Sequence, residues 1–549
     1  MKRFILPAFA ALMLSACGAT KNGSAKDAPF VWEGANMYFL LTDRFANGDK
    51  TNDVTLGRTK ETGVLRGFEG GDIRGIIQKI DEGYFDDLGI NAIWFTPVVE
   101  QIHDATNEGT GNTYGFHGYW AKDWTQLDPN FGTKKDLAEL VDKAHKRGIR
   151  IVLDGVINHT GPVTGNDAAW PSDWVRTAPE CKYNNYENTT ACTLVKNLPD
   201  VKTESDAEVA LPQFLVDKWK KEGRYEEEVK ELDAFFTRTG YPRAPKYYII
   251  KWLTDYIEDY GVDGYRADTV KHLGEDVWTE FAKQCEYAFG QWKKKNPKKV
   301  LDSNSFFTVG EVYNYGISSG KMFDFGDKKV NYYDHGFTAL INFELKYDAT
   351  KPNEETFAKY SRLLNNDLKG STVLNYLSSH DDSGPFDKKR TKSYQSATTL
   401  LLTPGISQVY YGDESARSLD IPGTEGDATL RSFMNWDDIA TKPETKKVLA
   451  HWQKLGRFRK NHAAIGAGEH KMISASPYVF QRTYSNGSYN DNVLIALDLA
   501  VGKKQVGTGG LFKDGTKVRD SYSGKEAIVA SNSIAFDTEF NILLIEEIK

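Results

Sequence analysis

The chain has 549 residues, of which 40% are hydrophobic, 26% charged and 13% aromatic, and it carries a formal net charge of −7. That length exceeds one simple domain and can bury large cores, and the composition excludes a disordered polymer. The negative balance, with no long basic run, removes the electrostatic basis for a nucleic-acid or anionic-membrane partner. The 12 Trp, 28 Tyr and 29 Phe instead provide rings on which a flat, hydroxyl-rich ligand can stack.

At the N-terminus Lys2 and Arg3 precede an apolar run from Phe4 to Leu14, well short of the roughly 17–25 residues that span a membrane. This reads as a signal peptide over residues 1–16. Its end, Leu14-Ser15-Ala16-Cys17, resembles a bacterial lipobox. That makes Cys17 the lipidated first residue of the mature chain; a plain secretory signal with an incidental Cys17 is the alternative. Gly18, rather than Asp, leans by resemblance to lipoprotein sorting toward the outer membrane, on its periplasmic or surface face. Residues 17–30 then form the lipidated Cys and a small, polar tether. Export favours disulfides, and Cys181 and Cys192 can close an eleven-residue step in a loop rich in Asn and Thr. Cys285 sits in the helical pattern WTEFAKQCEYAF as a small buried hydrophobe.

Strand-like segments follow at Met37–Thr42, Ala92–Pro97, Arg150–Val156, Val262–Asp268, Phe306–Val312, Leu340–Phe343, Thr372–Ser378 and Ile406–Tyr411. Helical patterns lie between them. In Lys134 to Arg147, Leu137, Leu140, Val141 and Ala144 repeat at i, i+3, i+4, i+7, with Thr133 to cap the start and Gly148 the end. Eight strands alternating with helices predict an α/β fold, a parallel (β/α)8 TIM barrel whose catalytic groups sit at the carboxyl ends of strands. The barrel is expected to occupy residues 31–159 and 246–460. After about residue 460 short alternating strands with turn pairs such as Asn486-Gly487 predict a separate antiparallel β-sandwich over 461–549.

Spacing places the chemistry. In GYRADTVKH, alternation puts Arg266 and Asp268 on one side of the strand, where the cation keeps the carboxylate ionised. That suits a nucleophile and equally a structural ion pair. The next acidic strand end, Glu311 in FFTVGEVY, comes 43 residues later, and Asp381 in LNYLSSHDD 70 after that, against roughly 31 residues per βα unit. Three carboxylates therefore reach one mouth from the fourth, fifth and seventh strands. From Asp154 in IVLDGVINHT to Asp268 the gap is 114 residues, so an inserted domain, residues 160–245, emerges after the third strand. Its segment 208–240 is helical in pattern.

IVLDGVINH, GYRADTVKH, TVGEVY and YLSSHDD, in this order and spacing, resemble the conserved regions of the α-amylase family of retaining glycoside hydrolases, over nearly the whole mature chain. NEGTGNTYGFHGYWAKDW, LPDVKTES, YYGDES and HWQKLGRFRKNHAAIGAG look most like the bacterial periplasmic members. The resemblance implies Asp268 as nucleophile, Glu311 as general acid/base and Asp381 as the third carboxylate. Glu311 has no adjacent cation in sequence, which fits a group that must hold a proton. Arg266, His380, His159 and His117 are implied as polar contacts of the cleaved sugar, Tyr119 as its stacking platform, Lys271 and His272 as the leaving-group side, and Asp154 as a brace of the mouth. Trp120 reads as core.

The resemblance also implies Ca2+, a hard cation that takes oxygen ligands. Asn158, Asp200 and the backbone oxygen of His272 match one site, which leaves the His272 ring free. Asn47, Asp49, Asn52, Asp53, Gly70 and Asp72 match a second. Gly155 and Ser379 depart from the bulkier or amide-bearing residues common in the family. Three functions compete: endo-hydrolysis of α-1,4-glucosidic bonds in starch, glycogen or maltodextrins, transglycosylation through the same covalent intermediate, and a non-catalytic glycan-binding lipoprotein, which should have lost a carboxylate. A monomer is expected, with an α-glucan as partner and contact with a membrane only through a lipid anchor.

Overall fold

The computed structural model describes residues 29–548. The expected signal peptide and the expected lipidation site, Cys17, lie outside them.

Eight parallel strands close a barrel: β1 (Asn36–Leu40), β2 (Ala92–Phe95), β3 (Arg150–Gly155), β4 (Gly264–Ala267), β5 (Phe307–Gly310), β6 (Ala339–Asn342), β7 (Thr372–Asn375) and β8 (Ile406–Tyr410), each paired with its neighbours in sequence and β8 returning to β1. Every residue of these strands is buried, as required of a sheet covered on its outer face by helices and filled inside by side chains. All eight expected strands are present, but shorter at their carboxyl ends. Asp268 and Glu311 are consequently the first residues past the ladder, where backbone geometry no longer dictates the direction of the side chain.

Helices close each unit. Among them are α1 (Ile73–Asp81), α2 (Lys134–Lys146) and, after the third strand, α3 (Gln213–Lys221) and α4 (Tyr225–Thr239) of the insertion. In α2, Thr133 and Asp136 form a reciprocal capping box, and the expected stripe, Leu137, Leu140, Val141 and Ala144, is buried. Helix α5 (Pro245–Tyr260) starts on a proline, whose missing N–H is no loss there, and returns the chain to the barrel. Within the insertion the Cys181–Cys192 disulfide closes a loop, and aromatic packing docks the insertion on the barrel. Trp174 stacks on Trp252 of α5 with centroids 6.2 Å apart, and Trp219 of α3 meets the same ring edge-on. Each such pair adds about 0.5–1.5 kcal/mol beyond the area it buries. Cys285 is unpaired and buried in α6 (Glu275–Lys295).

Three further helices follow: α7 (Asn353–Asn365), α8 (Ser393–Leu402) and α9 (Pro443–Asn461). After α9 the chain forms a six-stranded antiparallel sheet. A two-stranded ribbon, Gly502–Gly507 with Ser533–Thr538, packs against it over Val479, Leu494, Val506, Val518 and Ile534. In the hairpin at residue 487, Asn486 pairs with Tyr489, so the two loop residues are Gly487 and Ser488.

Helix α9 lies so close to the loop before β2 that a Cβ on Gly456 would collide with the carbonyl of Leu88. Gly456→Ala is expected to lower stability by about 1–3 kcal/mol through overpacking. Gly290→Ala in α6, where nothing lies within 4 Å, should be neutral or stabilising by about 0.5–1 kcal/mol. Urea midpoints of the two variants check the contrast.

Candidate active site

Adjacent strands deliver the reactive groups in register. Arg266 on β4 pairs with Asp154 on β3, and Ala267 pairs with Gly310 on β5. One step further, the Asp268 N–H donates to Gly155 O and the Glu311 N–H to Ala267 O, both at 3.0 Å. Neighbouring strands run ~4.8 Å apart, so Asp268 and Glu311 leave the barrel side by side.

Arg266, 1% exposed, binds them together. Its Nη1 donates to Asp268 Oδ1 at 2.7 Å and to Asp154 Oδ1 at 3.0 Å, and its Nη2 lies 2.9 Å from Glu311 Oε2. Glu311 has no adjacent cation in sequence, but in space the guanidinium arrives from the next strand, out of sight of a linear reading. Burial nevertheless drives Glu311 well above the ordinary carboxylate range, with Arg266 opposing and Asp268 and Asp381 adding to the rise. At Asp268 burial also pushes upward, but Arg266, charged and hydrogen-bonded to it, outweighs it and holds the carboxyl below its usual value. Asp154, buried and near Asp268, is pushed up to about 7. One guanidinium facing three buried carboxyls leaves excess negative charge, which biases Glu311 and Asp154 toward their protonated forms.

Asp154 is also the expected brace. Its Oδ2 accepts from Trp94 Nε1 at 3.1 Å and from the Tyr119 hydroxyl at 2.9 Å. The Tyr119 ring lies nearly parallel to the His117 and His380 rings, 5.8 and 5.4 Å away. His117 Nδ1 accepts the Tyr119 N–H, and His159 Nε2 sits 3.1 Å from Tyr119 O, a carbonyl, so that nitrogen carries the proton. Burial lowers all three imidazoles and keeps them neutral. Asp381 stands apart at the open edge, its side chain 35% exposed and 3.6 Å from His380 Nδ1. Burial of its surroundings raises it, with Arg266 and Arg431 opposing. The Ser379 hydroxyl lies 3.3 Å from His380 Nδ1. Trp120 is buried against Ile102 and Leu198.

On the other side Lys271 Nζ donates to Tyr313 O at 3.3 Å and lies over the rings of Tyr183 and Tyr313. The expectation of a free His272 ring fails. Its Nδ1 is 3.0 Å from Thr189 O, pinning the ring to the insertion. Tyr183 and Tyr313, 54% and 48% exposed, were not foreseen as site residues. Tyr313 was within reach, two residues after Glu311. Tyr183 comes from the disulfide loop, and only folding brings it here. Arg431, whose Nε donates to His380 O at 2.9 Å, was likewise missed.

Two oxygen-rich clusters bear on cation binding. Asp200 is buried, its Oδ2 taken by Arg176 Nε at 2.7 Å and its Oδ1 without a partner. A bridge between His159 and Asp200, together with the Val201 N–H to Asn158 O bond, brings Asn158 alongside. In the second cluster the buried Asn47 Oδ1 and Asn52 Oδ1 have no partner. Asp53 Oδ1 accepts from Asn47 Nδ2. Gly70, at φ +90°, leaves open the space that a Cβ would fill against Asn47 and Asp53. Asp72 and Asp49 are already engaged: Asp72 accepts the N–H groups of Gly48, Asp49 and Gly75 and caps α1, and Asp49 binds Thr51. Among the described residues no three His, Cys, Asp or Glu side chains gather closely enough to hold a metal alone, so either cluster depends on amide and backbone oxygens.

The model of the alpha amylase catalytic domain matches residues 39–468. The periplasmic alpha-amylase of Escherichia coli (strain K12) is 35% identical, over 87% of this chain and 75% of that protein. The cyclomaltodextrin glucanotransferase of Geobacillus stearothermophilus is 26% identical, over 84% of this chain and 59% of that one. Among solved structures, an Anoxybacillus alpha-amylase superposes with a TM-score of 0.64 over 95% of this chain and all of that one. At 24% identity that likeness speaks for the fold.

Removing the shared cation tests the electrostatics directly. Arg266→Met should destabilise the protein by about 3–5 kcal/mol at neutral pH, because it strands buried carboxyls. Lowering the pH toward 5, where they protonate, should restore part of the loss in denaturant unfolding.

Proposed function

The chain belongs to the alpha-amylase family, and on that premise we propose that it hydrolyses internal α-1,4-glucosidic bonds of starch, glycogen or maltodextrins with retention of configuration. One observation carries the reading: a single guanidinium touches two carboxyls from adjacent strands whose protonation is driven in opposite directions. Retaining glycosidases need that asymmetry across carboxyls ~5–5.5 Å apart, and neighbouring parallel strands supply a spacing of that order. Asp268, ionised, attacks the anomeric carbon while Glu311 gives its proton to the departing glycosidic oxygen. The C–O bond to the leaving chain breaks as the bond to Asp268 forms. Water, relieved of a proton by Glu311, then displaces Asp268 and regenerates both groups. Asp381, His117, His159 and His380 hold the hydroxyls of the sugar as positive charge develops on its ring, and Tyr119 supports its apolar face. Lys271, Tyr183 and Tyr313 receive the leaving-group side.

Digestion of maltoheptaose followed by NMR should release α-anomers first, at a rate that falls on the alkaline side as Glu311 loses its proton and on the acid side as Asp268 gains one. Early β-anomers would overturn the roles of Asp268 and Glu311, and products longer than the substrate would favour transglycosylation. Glu311→Gln should abolish turnover of maltoheptaose by about 10³-fold or more. It should spare kcat/KM on an aryl maltoside far better, because that constant reports the first step and the leaving group there needs no proton, and in kcat/KM on that substrate the alkaline limb should vanish.

Calcium belongs to the proposal. The unpartnered Asp200 Oδ1, with Asn158 and the His272 carbonyl, would hold one ion between barrel and insertion. Asn47, Asn52, Asp53 and the Gly70 carbonyl would hold a second. A bound ion there clamps loops and takes no part in bond breaking. Stripping calcium with EGTA should lower the melting temperature by about 5–10 °C, reversibly. Asp200→Asn should remove the part of that response owed to the first site in calorimetry, and adding Asp53→Asn should remove the rest. Export is supported by the likeness to a periplasmic relative and by the disulfide, with Cys17 as the proposed lipid anchor. Among the described residues no helix is long and apolar enough to cross a membrane.

A further inference from the structure

Of the three carboxyls assigned to the reaction, Asp268 and Glu311 are bound by Arg266, whereas Asp381 has no such partner. Among the described residues its carboxyl accepts no hydrogen bond from the protein; it is 35% exposed and lies 3.6 Å from His380 Nδ1. A short side chain free in water keeps several rotamers, yet a group that meets a developing charge must stand in one place. The backbone on either side of Asp381 is held instead. Before it, Arg431 Nε donates to His380 O. After it, Asp382 is gripped at both oxygens: Oδ2 accepts from the Tyr376 hydroxyl at 2.6 Å and from Lys346 Nζ, and Oδ1 accepts the Gly384 N–H at 2.9 Å.

The grip joins two neighbouring loops of the mouth. Tyr376 is the first residue past β7, and Lys346 stands in the short helix Leu345–Asp348 that follows β6. The side chains of Lys346 and Asp382 are only 8% and 10% exposed. A run of rings, Tyr376 to Phe343 at 5.6 Å and Phe343 to Tyr313 at 5.1 Å, connects them to the leaving-group side. A tie between loops alone would cost less desolvation as an apolar contact. Here a second negative charge sits directly after Asp381 and is among those that push it upward, behind burial and Asp268. Lys346 compensates that charge: burial pushes Asp382 upward, but its bonds with Lys346 and Tyr376 outweigh burial and hold it below its usual range. Both oxygens of Asp382 are engaged by the protein, so its influence on a sugar passes through its neighbour. We propose that Asp382, gripped by Lys346 and Tyr376, is a positioning residue for Asp381, fixing the turn after β7 so that the free carboxyl of Asp381 faces the sugar being cleaved. This role rests on the proposed glycosidase activity.

Steady-state kinetics on maltoheptaose with single and double variants test it. Misplacing a reacting group by about 1 Å can cost about 100-fold, so Asp382→Ala should lower kcat by about that factor while KM stays within about threefold, the pattern of an interaction made in the transition state. Lys346→Met should behave in the same way, Lys346→Arg should recover most of kcat, and Tyr376→Phe, which removes one of the bonds, should lose about three- to tenfold. Residues that act as a unit are not additive, so Asp381→Asn combined with Asp382→Ala should be no slower than Asp381→Asn alone. A double variant slower by the full factor of Asp382→Ala would overturn the role and mark Asp382 as structural, and so would parental kcat in both Asp382→Ala and Lys346→Met. If Asp382→Ala does not fold, the same cycle is run with Lys346→Met. Parental turnover by Asp381→Asn would defeat the proposed reaction, whereas an inactive Asp381→Asn beside a fully active Asp382→Ala defeats the positioning role alone.

Discussion

The site depends on one buried positive charge. Arg266 has no route to solvent, and a buried guanidinium is tolerable only when carboxylates compensate it. Asp154, Asp268 and Glu311 do so from three consecutive strands. Since one cation cannot neutralise three anions, the surplus sorts the carboxyls into ionised and protonated states. The ordinary requirement that a buried charge be paired thus drives two carboxyls of one set in opposite directions, Asp268 below and Glu311 above the ordinary range.

The barrel turns that requirement into geometry. Parallel register places Arg266 opposite Asp154 and lets Asp268 and Glu311 depart from paired residues, so the spacing between carboxyls is inherited from the spacing between strands. The insertion then completes the mouth from one side. Its tryptophans dock on α5, its disulfide loop carries Tyr183 toward Lys271, and Thr189 fixes the His272 ring. The wall and the catalytic floor are coupled by polar contacts at several points, among them the bridge of His159 to Asp200, whose Oδ1 still has no partner.

The eight strands, the helical stripe of α2 with its caps, the insertion after the third strand and the C-terminal sandwich were all legible in the chain, because periodicity, capping and spacing are local properties. The strand-end acids were legible too, since a barrel converts regular spacing into a common mouth. The cation beside Glu311 was not, because strand register, and not sequence adjacency, decides which side chain faces which. The hydrogen bond that removes the freedom of the His272 ring, the arrival of Tyr183 and the position of Arg431 failed for the same reason: each joins residues from elements that only folding brings together.

By itself, then, the sequence determined the order and type of the elements, the strand-end positions of Asp268 and Glu311 and the Arg266–Asp268 pair, because alternation along one strand makes those two neighbours whatever the rest does. Only the tertiary structure decided the protonation bias of Glu311, the commitment of Asp72 to the amides of Gly48 and Asp49, and the pairing of Lys346 with Asp382 between two loops. Burial and long-range charge set these, and neither exists until the chain has closed around them.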